Sequence, residues 1–250
     1  RPAVSAYPLQ YLRYWFAAHL LTVECLHQSR PLSVCEIGID RGQMRRFLLP
    51  LLQHASFRSL DISAWTGVDV MLRRDQLTPL GYSDLIETNI ELSNDWQRDD
   101  DVLLLLHVLE HLFDPEQFLT RSAAEMKPGS IIIGGMPAVP HWCVKLREPW
   151  LRARKHSFRH VSAMSARRIR NAARACGLEV VFMAGAFCVR WRNAWLENHA
   201  WWVRFNLWFG ARFRWWPGEL YWVLRKPAQA VNADVRAERT NGQLSAANVQ

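Results

Sequence analysis

Close pairs of cysteine are missing from this 250-residue chain. Its five cysteines (Cys25, Cys35, Cys143, Cys176, Cys188) are odd in number and scattered through apolar sequence, which excludes a disulfide scaffold and any zinc-type spacing. They read as small buried hydrophobes in a reducing compartment, and no metal site is expected. Long hydrophobic runs are missing too. Stretches such as Val102–Leu106 have only the length of a strand, so no membrane-spanning segment is predicted. Arg1–Pro31 has polar residues throughout and no small-residue cleavage site, so no signal peptide is predicted and a cytoplasmic protein is expected. Phosphate-cradling loops are also absent. No Gly-Lys-Ser/Thr loop occurs, and a dinucleotide fingerprint would need Gly at 38, 40 and 43, where the chain has Gly38, Asp40 and Gln43.

Acidic residues are scarce in one part of the chain. Residues 1–140 hold 12 basic and 17 acidic side chains, residues 141–226 hold 17 and 4, and residues 227–250 hold 2 of each. The net charge of +8 is therefore the sum of an acidic portion and a strongly basic one that follows it. Eight of the 13 tryptophans fall between Trp191 and Trp222, inside the basic portion. Such a surface suits an anionic partner.

What is present is an alternation of strands and helices. Tyr7–Gln28 has helical apolar spacing, and Ser33–Gly38 is a short strand leading to an amphipathic helix over Gly42–Gln53. Strands follow at Trp65–Val70, Asp84–Asn89, Asp101–Leu106, Ile131–Ile133, Leu178–Met183 and Leu220–Leu224, with helices at Pro115–Met126 and Ser165–Cys176. This order implies parallel βαβ units. The continuously apolar fourth strand implies a sheet covered on both faces. Pro227–Gln250 is polar and non-periodic, as in a disordered tail.

In such sheets ligands bind beyond the carboxyl ends of the strands, where strand order reverses. The first strand ends Glu36-Ile-Gly38-Ile-Asp40-Arg-Gly42. Gly67-Val-Asp69-Val, Asn89-Ile90-Glu91 and the block Asp101 to Pro115, with His107, Glu110 and His111, follow in order. Met126 to Gly129, Gly135 to Pro137, His160 to Ser162 and Ala175 to Val180 complete the set. Spacing and order resemble those of class I S-adenosylmethionine-dependent methyltransferases, closest to the small-molecule, quinone-biosynthesis type. The resemblance implies an α/β fold: a doubly wound, mostly parallel, seven-stranded Rossmann-like sheet with helices on both faces, plus a Trp/Arg-rich C-terminal extension. It implies an N-terminal helical segment (1–30), a cofactor-binding domain (31–190), the extension (191–226), completing the sheet or forming an interface, and the tail (227–250).

The implied cofactor is S-adenosylmethionine, held by Glu36, Gly38, Asp40, Gly42, Asp69, Asn89, Ile90 and His107. Asp69 is suited to accept hydrogen bonds from a ribose diol, Asn89 to pair with an adenine amino group, and Ile90 to contact the ring. Asp61 rivals Asp69, which is preferred because Gly-Val-Asp-Val reads as a strand end. Asp40 stands where the family has its middle glycine, a position that an aspartate tolerates at positive φ better than most residues. His111, His107 and Glu110 are the candidate catalytic groups, with His111 the first choice of base. His141, Trp142 and His160 are candidate acceptor contacts, and Pro140–Arg159 reads as a lid or acceptor loop. The expected partner is a small-molecule acceptor, with peripheral contact to an anionic membrane at its inner face. Competing readings are a nucleic-acid methyltransferase and a methyltransferase-like binding protein without turnover.

Overall fold

Five consecutive apolar residues, Val102–Leu106, can be buried only between two layers, and they form the fourth strand of the sheet. The computed structural model describes residues 11–96, 99–153, 160–188 and 195–228. Its strands are β1 (Leu32–Ile37), β2 (Ile62–Asp69), β3 (Asp84–Glu87), β4 (Val102–Leu106), β5 (Ile131–Ala138), β6 (Glu179–Gly185) and β7 (Gly218–Arg225). They lie in the order β3-β2-β1-β4-β5-β7-β6, with β7 antiparallel to both neighbours and the other observed pairings parallel. Strand order reverses between β1 and β4. Their carboxyl ends therefore flank the crevice expected to take a ligand.

The helices are α1 (Leu12–Gln28), α2 (Gln43–Leu51), α3 (Arg74–Leu77), α4 (Pro115–Glu125), α5 (His141–Ala153), α6 (Ala166–Ala175) and α7 (Ala200–Arg212). Successive strand residues point to opposite faces, so each strand feeds two cores. Val34, Leu104 and Ile133 pack with Ala18 and Leu21 of α1 and Leu48 of α2 on one face. Cys35, Leu105 and Ile132 pack with Phe118 of α4 and Ile169 of α6 on the other. The expected doubly wound sheet is the observed one. Tyr7–Gln10 of the first predicted helix and the tail from 229 onward lie outside the described residues.

Two expectations are corrected. Pro140–Arg159 is not a loop over its described part: His141–Ala153 is helix α5, with 154–159 outside the described residues. Val144 and Leu151, seven residues apart, are buried on one side of it. Glu148 pairs with Arg152 one turn on and with Arg168 of α6 at 3.0 Å, which ties α5 to its neighbour. The cysteines also divide: Cys25 and Cys35 are buried, whereas Cys143, Cys176 and Cys188 are partly exposed near helix or strand ends.

Candidate active site

The turn after β1 is left-handed at alternate positions. Gly38, Asp40 and Gly42 have φ of 75°, 45° and 68°. A Cβ on Gly38 would lie 3.0 Å from Val108 Cγ2 and one on Gly42 2.4 Å from the movable Leu80 Cδ1, so it is chiefly the positive φ that calls for glycine at both positions. Asp40 adopts the same backbone region with its side chain in solvent, and its N–H donates to Asp69 Oδ2 at 2.8 Å. Arg45, a conceivable ion-pair partner of Asp40, instead donates to the carbonyls of Leu80 and Gly81 and lies over the Trp65 ring.

Asp69 ends β2, beside this turn. Its Oδ1 accepts from Val70 N at 2.7 Å and Met71 N at 3.4 Å, so the carboxylate is fixed by three backbone amides and keeps lone-pair capacity on Oδ2. Asp61 precedes β2, at the opposite end of that strand. Only Asp69 is therefore in reach of the crevice. Asn89 and Ile90 follow β3: Asn89 is exposed and accepts from Glu91 N, while Ile90 is buried with Val108 and Ile37.

Glu36 is positioned differently from the others. It is buried within β1, and Oε2 accepts from Trp65 Nε1 at 2.9 Å and Tyr82 Oη at 3.3 Å, rather than from the loop amides. Burial pushes its pKa up to about 7, partly offset by those two donors and by Arg45. It braces β1 against β2 beneath the crevice.

A second polar group lies at the end of β4. A single tight turn spans Leu109–His111, and α4 begins at Pro115, as expected, where Asp114 caps it. His107 has φ of 59°, and its N–H donates to Gly135 O at 2.7 Å. Glu110 is 2 % exposed, and its Oε1 lies 3.1 Å from His107 Nδ1 and 3.9 Å from His160 Nε2. Among the described residues, neither carboxylate oxygen meets an aligned hydrogen-bond donor. His160 comes from a distant loop because Val161 N and Ser162 N donate to the Glu110 carbonyl and Ser162 Oγ donates to Leu112 O. Its ring meets His111 edge-on, with centroids 5.0 Å apart. Ligand atoms of Glu110, His111 and His160 all lie within 4.8 Å of one another.

Glu219, at the start of β7, completes the group. Its Oε1 is 3.7 Å from His107 Nε2 and 3.5 Å from Arg13 Nη2, and Oε2 accepts from Tyr221 Oη. Burial alone would lower the His107 pKa, but Glu110 and Glu219 together outweigh it and hold it above the ordinary imidazole value. Burial lowers that of His160, and Glu110 only partly offsets this. Sequence reasoning missed Glu219 and Arg13. The available signal was one carboxylate near the start of an otherwise apolar strand in the basic portion.

His141 and Trp142 are not brought into this group. His141 Nδ1 lies 3.0 Å from Ser165 Oγ at the start of α6, in a cleft with Glu116, Lys145 and Arg168, and Trp142 is in solvent.

A glycine turn after β1, an acidic residue closing β2 and a buried polar cluster after β4 thus meet at one switch point. The methyltransferase-domain family matches residues 10–182. The chain belongs to that family. Solved structures agree on the fold of the methyltransferase. A putative sarcosine dimethylglycine methyltransferase from Galdieria sulphuraria is 14 % identical with a TM-score of 0.57, over 85 % of this chain and 86 % of that one. A chain of the complex between the Haloferax volcanii Trm112 methyltransferase activator and the putative methyltransferase is 16 % identical with a TM-score of 0.56, covering 87 % and 91 %. The N-methyltransferase NodS from Bradyrhizobium japonicum, solved with S-adenosylhomocysteine, is 15 % identical with a TM-score of 0.52, covering 86 % and 88 %. No curated protein matches the sequence. The enzyme is an S-adenosylmethionine-dependent methyltransferase of the class I fold, and S-adenosylmethionine is its methyl donor.

Proposed function

We propose that this methyltransferase methylates an oxygen atom of a small lipid, quinone or glycan-like acceptor, with the imidazoles around Glu110 handling the proton. The observation that carries this reading is the buried Glu110 carboxylate at the end of β4, whose Oε1 lies 3.1 Å from His107 Nδ1 and 3.9 Å from His160 Nε2 while, among the described residues, neither oxygen meets an aligned donor. Buried polar atoms left in that state are costly and concentrate where a ligand or a reaction completes them.

S-adenosylmethionine supplies an electrophilic methyl group on a sulfonium. The turn at Gly38, Asp40 and Gly42 presents backbone to it, Asp69 accepts from its ribose, and Asn89 and Ile90 take its adenine. Glu36 supports that turn from beneath through Trp65 and Tyr82. A hydroxyl acceptor must lose its proton as the new bond forms, so the base has to be neutral at working pH. Against burial, Glu110 and Glu219 raise the His107 pKa above the ordinary imidazole value, which makes it a poorer base than its neighbours and suits it to a place at the cofactor's edge. His111 and His160, ring against ring, are left for that role, and the lowered pKa of His160 suits it. His141 and Trp142 contact an acceptor only where it extends over α5. The enzyme works in the cytoplasm, in peripheral contact with the inner face of the membrane, where such acceptors reside.

Calorimetric titration with S-adenosylhomocysteine tests the cofactor half of this reading. Asp69→Ala should weaken binding about tenfold or more, a loss of about 1.4 kcal/mol, while Asp61→Ala leaves it unchanged. Wild-type protein that fails to bind at millimolar ligand would sink the assignment of the site. The basic, tryptophan-rich portion favours a nucleic-acid acceptor as a second reading; methyl incorporation into RNA but not into a lipid extract would select it.

A further inference from the structure

Antiparallel neighbours such as β6 and β7 can be joined by a tight turn. Here residues 186–217 intervene, with seven tryptophans, four phenylalanines, five arginines and one carboxylate, Glu197. The excursion leaves the sheet at Gly185 and returns at Gly218, and the next residue is Glu219, which faces His107. Both of its ends therefore lie on the same edge of the sheet as the active site.

Its helix α7 has its faces reversed. Asn206 and Gly210 are buried: Asn206 Oδ1 accepts from Cys188 N, and Gly210 lies directly on the backbone of Gly185. The outward stripe at helical spacing is Trp201, Arg204, Phe205, Trp208 and Arg212, with Trp201 56 % and Trp208 61 % exposed. Trp195, Trp215 and Trp216 extend the exposed aromatic surface beyond the helix. The excursion's carboxylate, Glu197, is itself buried, so no surface acid in 195–217 offsets Arg204, Arg212 and Arg214. Arg214 adds its charge to Arg170 and Arg174 of α6: after burial, repulsion from these two neighbours lowers the Arg170 pKa.

We propose that this face of α7, with the flanking tryptophans, docks the enzyme on an anionic phospholipid bilayer. Indole rings settle at the headgroup level, where one edge meets hydrocarbon and the N–H meets water, and arginines between them pair with lipid phosphates. A 13-residue helix is about 20 Å long and lies in the interface rather than across it. Among the described residues no helix is long and apolar enough to cross a membrane. A second copy of the chain would bring like charges face to face. Single-stranded RNA is served by a basic groove that tracks its backbone, whereas Arg204 and Arg212 lie two turns apart with aromatic rings between them. Docking through this edge turns the crevice toward the lipid, and in that orientation alone the inference rests on the lipid-acceptor reading.

Cosedimentation of the full chain with vesicles of phosphatidylcholine, with and without phosphatidylglycerol, tests it. Retention should be about tenfold greater on the anionic vesicles, fall with added salt and bring a blue shift of tryptophan emission. Arg204→Glu with Arg212→Glu, and separately Trp201→Ser with Trp208→Ser, should each reduce retention about tenfold while S-adenosylhomocysteine affinity stays unchanged. If the tryptophan variant loses that affinity, the arginine pair, wholly on the exposed surface, decides. The proposal is overturned if wild type ignores phosphatidylglycerol vesicles at low salt, if both variants bind them as wild type does, or if RNA at matched salt is retained and vesicles are not. Intact cofactor binding alongside any of these results leaves the methyltransferase site standing.

Discussion

Glu110 has almost no contact with water, yet its Oε1 faces imidazole nitrogens at 3.1 and 3.9 Å and, among the described residues, neither of its oxygens meets an aligned donor. Its charge acts unequally on the rings around it. His107, gripped from its other nitrogen by Glu219, is stabilised as a cation, whereas burial dominates at His160 and favours the neutral ring. Beside one carboxylate, one imidazole thus has its pKa raised and another has its pKa lowered. Because the His160 pKa lies below the ordinary 6.5, the acid limb of kcat/KM should fall at a pH under that value. His160→Gln should lower the rate about a hundredfold and abolish this limb, while His107→Gln should keep it and move it to higher pH, because, after burial, the His107 charge helps to lower the His160 pKa. A pH profile in which His107→Gln removes the limb and His160→Gln does not would reverse the assignment.

Elements were legible where one local pattern fixed them. The turn after β1 follows from its glycine spacing, and β4 from five apolar residues in a row. At β2, Gly-Val-Asp-Val located the strand's end and hence Asp69, but the strand begins three residues before the Trp65 read from sequence, because pairing with β1 extends it to Ile62. Helix α5 was hidden because its basic and aromatic residues resemble a loop rich in ligand contacts; what forms it is Val144 and Leu151 packing and the Glu148 ion pairs, which are tertiary. Glu219 was hidden for the same reason, since only the β5–β7 pairing carries it to His107. The seat of α7 gives an element-level prediction whose sign is decisive. Gly→Ala within a helix normally adds about 1 kcal/mol of stability. At Gly210 the new Cβ would lie 2.4 Å from Gly185 C and 2.5 Å from Ala186 N, backbone atoms that cannot rotate aside. Gly210→Ala should therefore cost about 1–3 kcal/mol in urea unfolding, and a gain in stability would show that α7 does not rest on β6.

Across the whole molecule the two edges of the sheet divide the work. At the amino edge Asp101 accepts from both Arg30 nitrogens at 2.6 and 2.8 Å and from Ser33 N at 2.9 Å, and it pairs with Lys127 at 2.9 Å. Burial alone would raise its pKa, but these partners outweigh burial and hold it far below the usual carboxylate range. Stability from a depressed carboxylate pKa is present above the unfolded value and lost as pH falls through the folded one. At the carboxyl edge Glu110 has the opposite character, buried without matched donors. Asp101→Asn should cost about 2 kcal/mol at neutral pH, discounted because Arg30 and Lys127 are partly in water, and should leave S-adenosylhomocysteine affinity unchanged. Glu110→Gln should unfold within about 1 kcal/mol of wild type, bind S-adenosylhomocysteine normally and lose methyl transfer. Unfolding midpoints, calorimetric titration and turnover on the same three proteins separate the edges. A Glu110→Gln protein as unstable as Asp101→Asn would make Glu110 a structural partner of His107, and the carboxyl edge would then share in holding the fold.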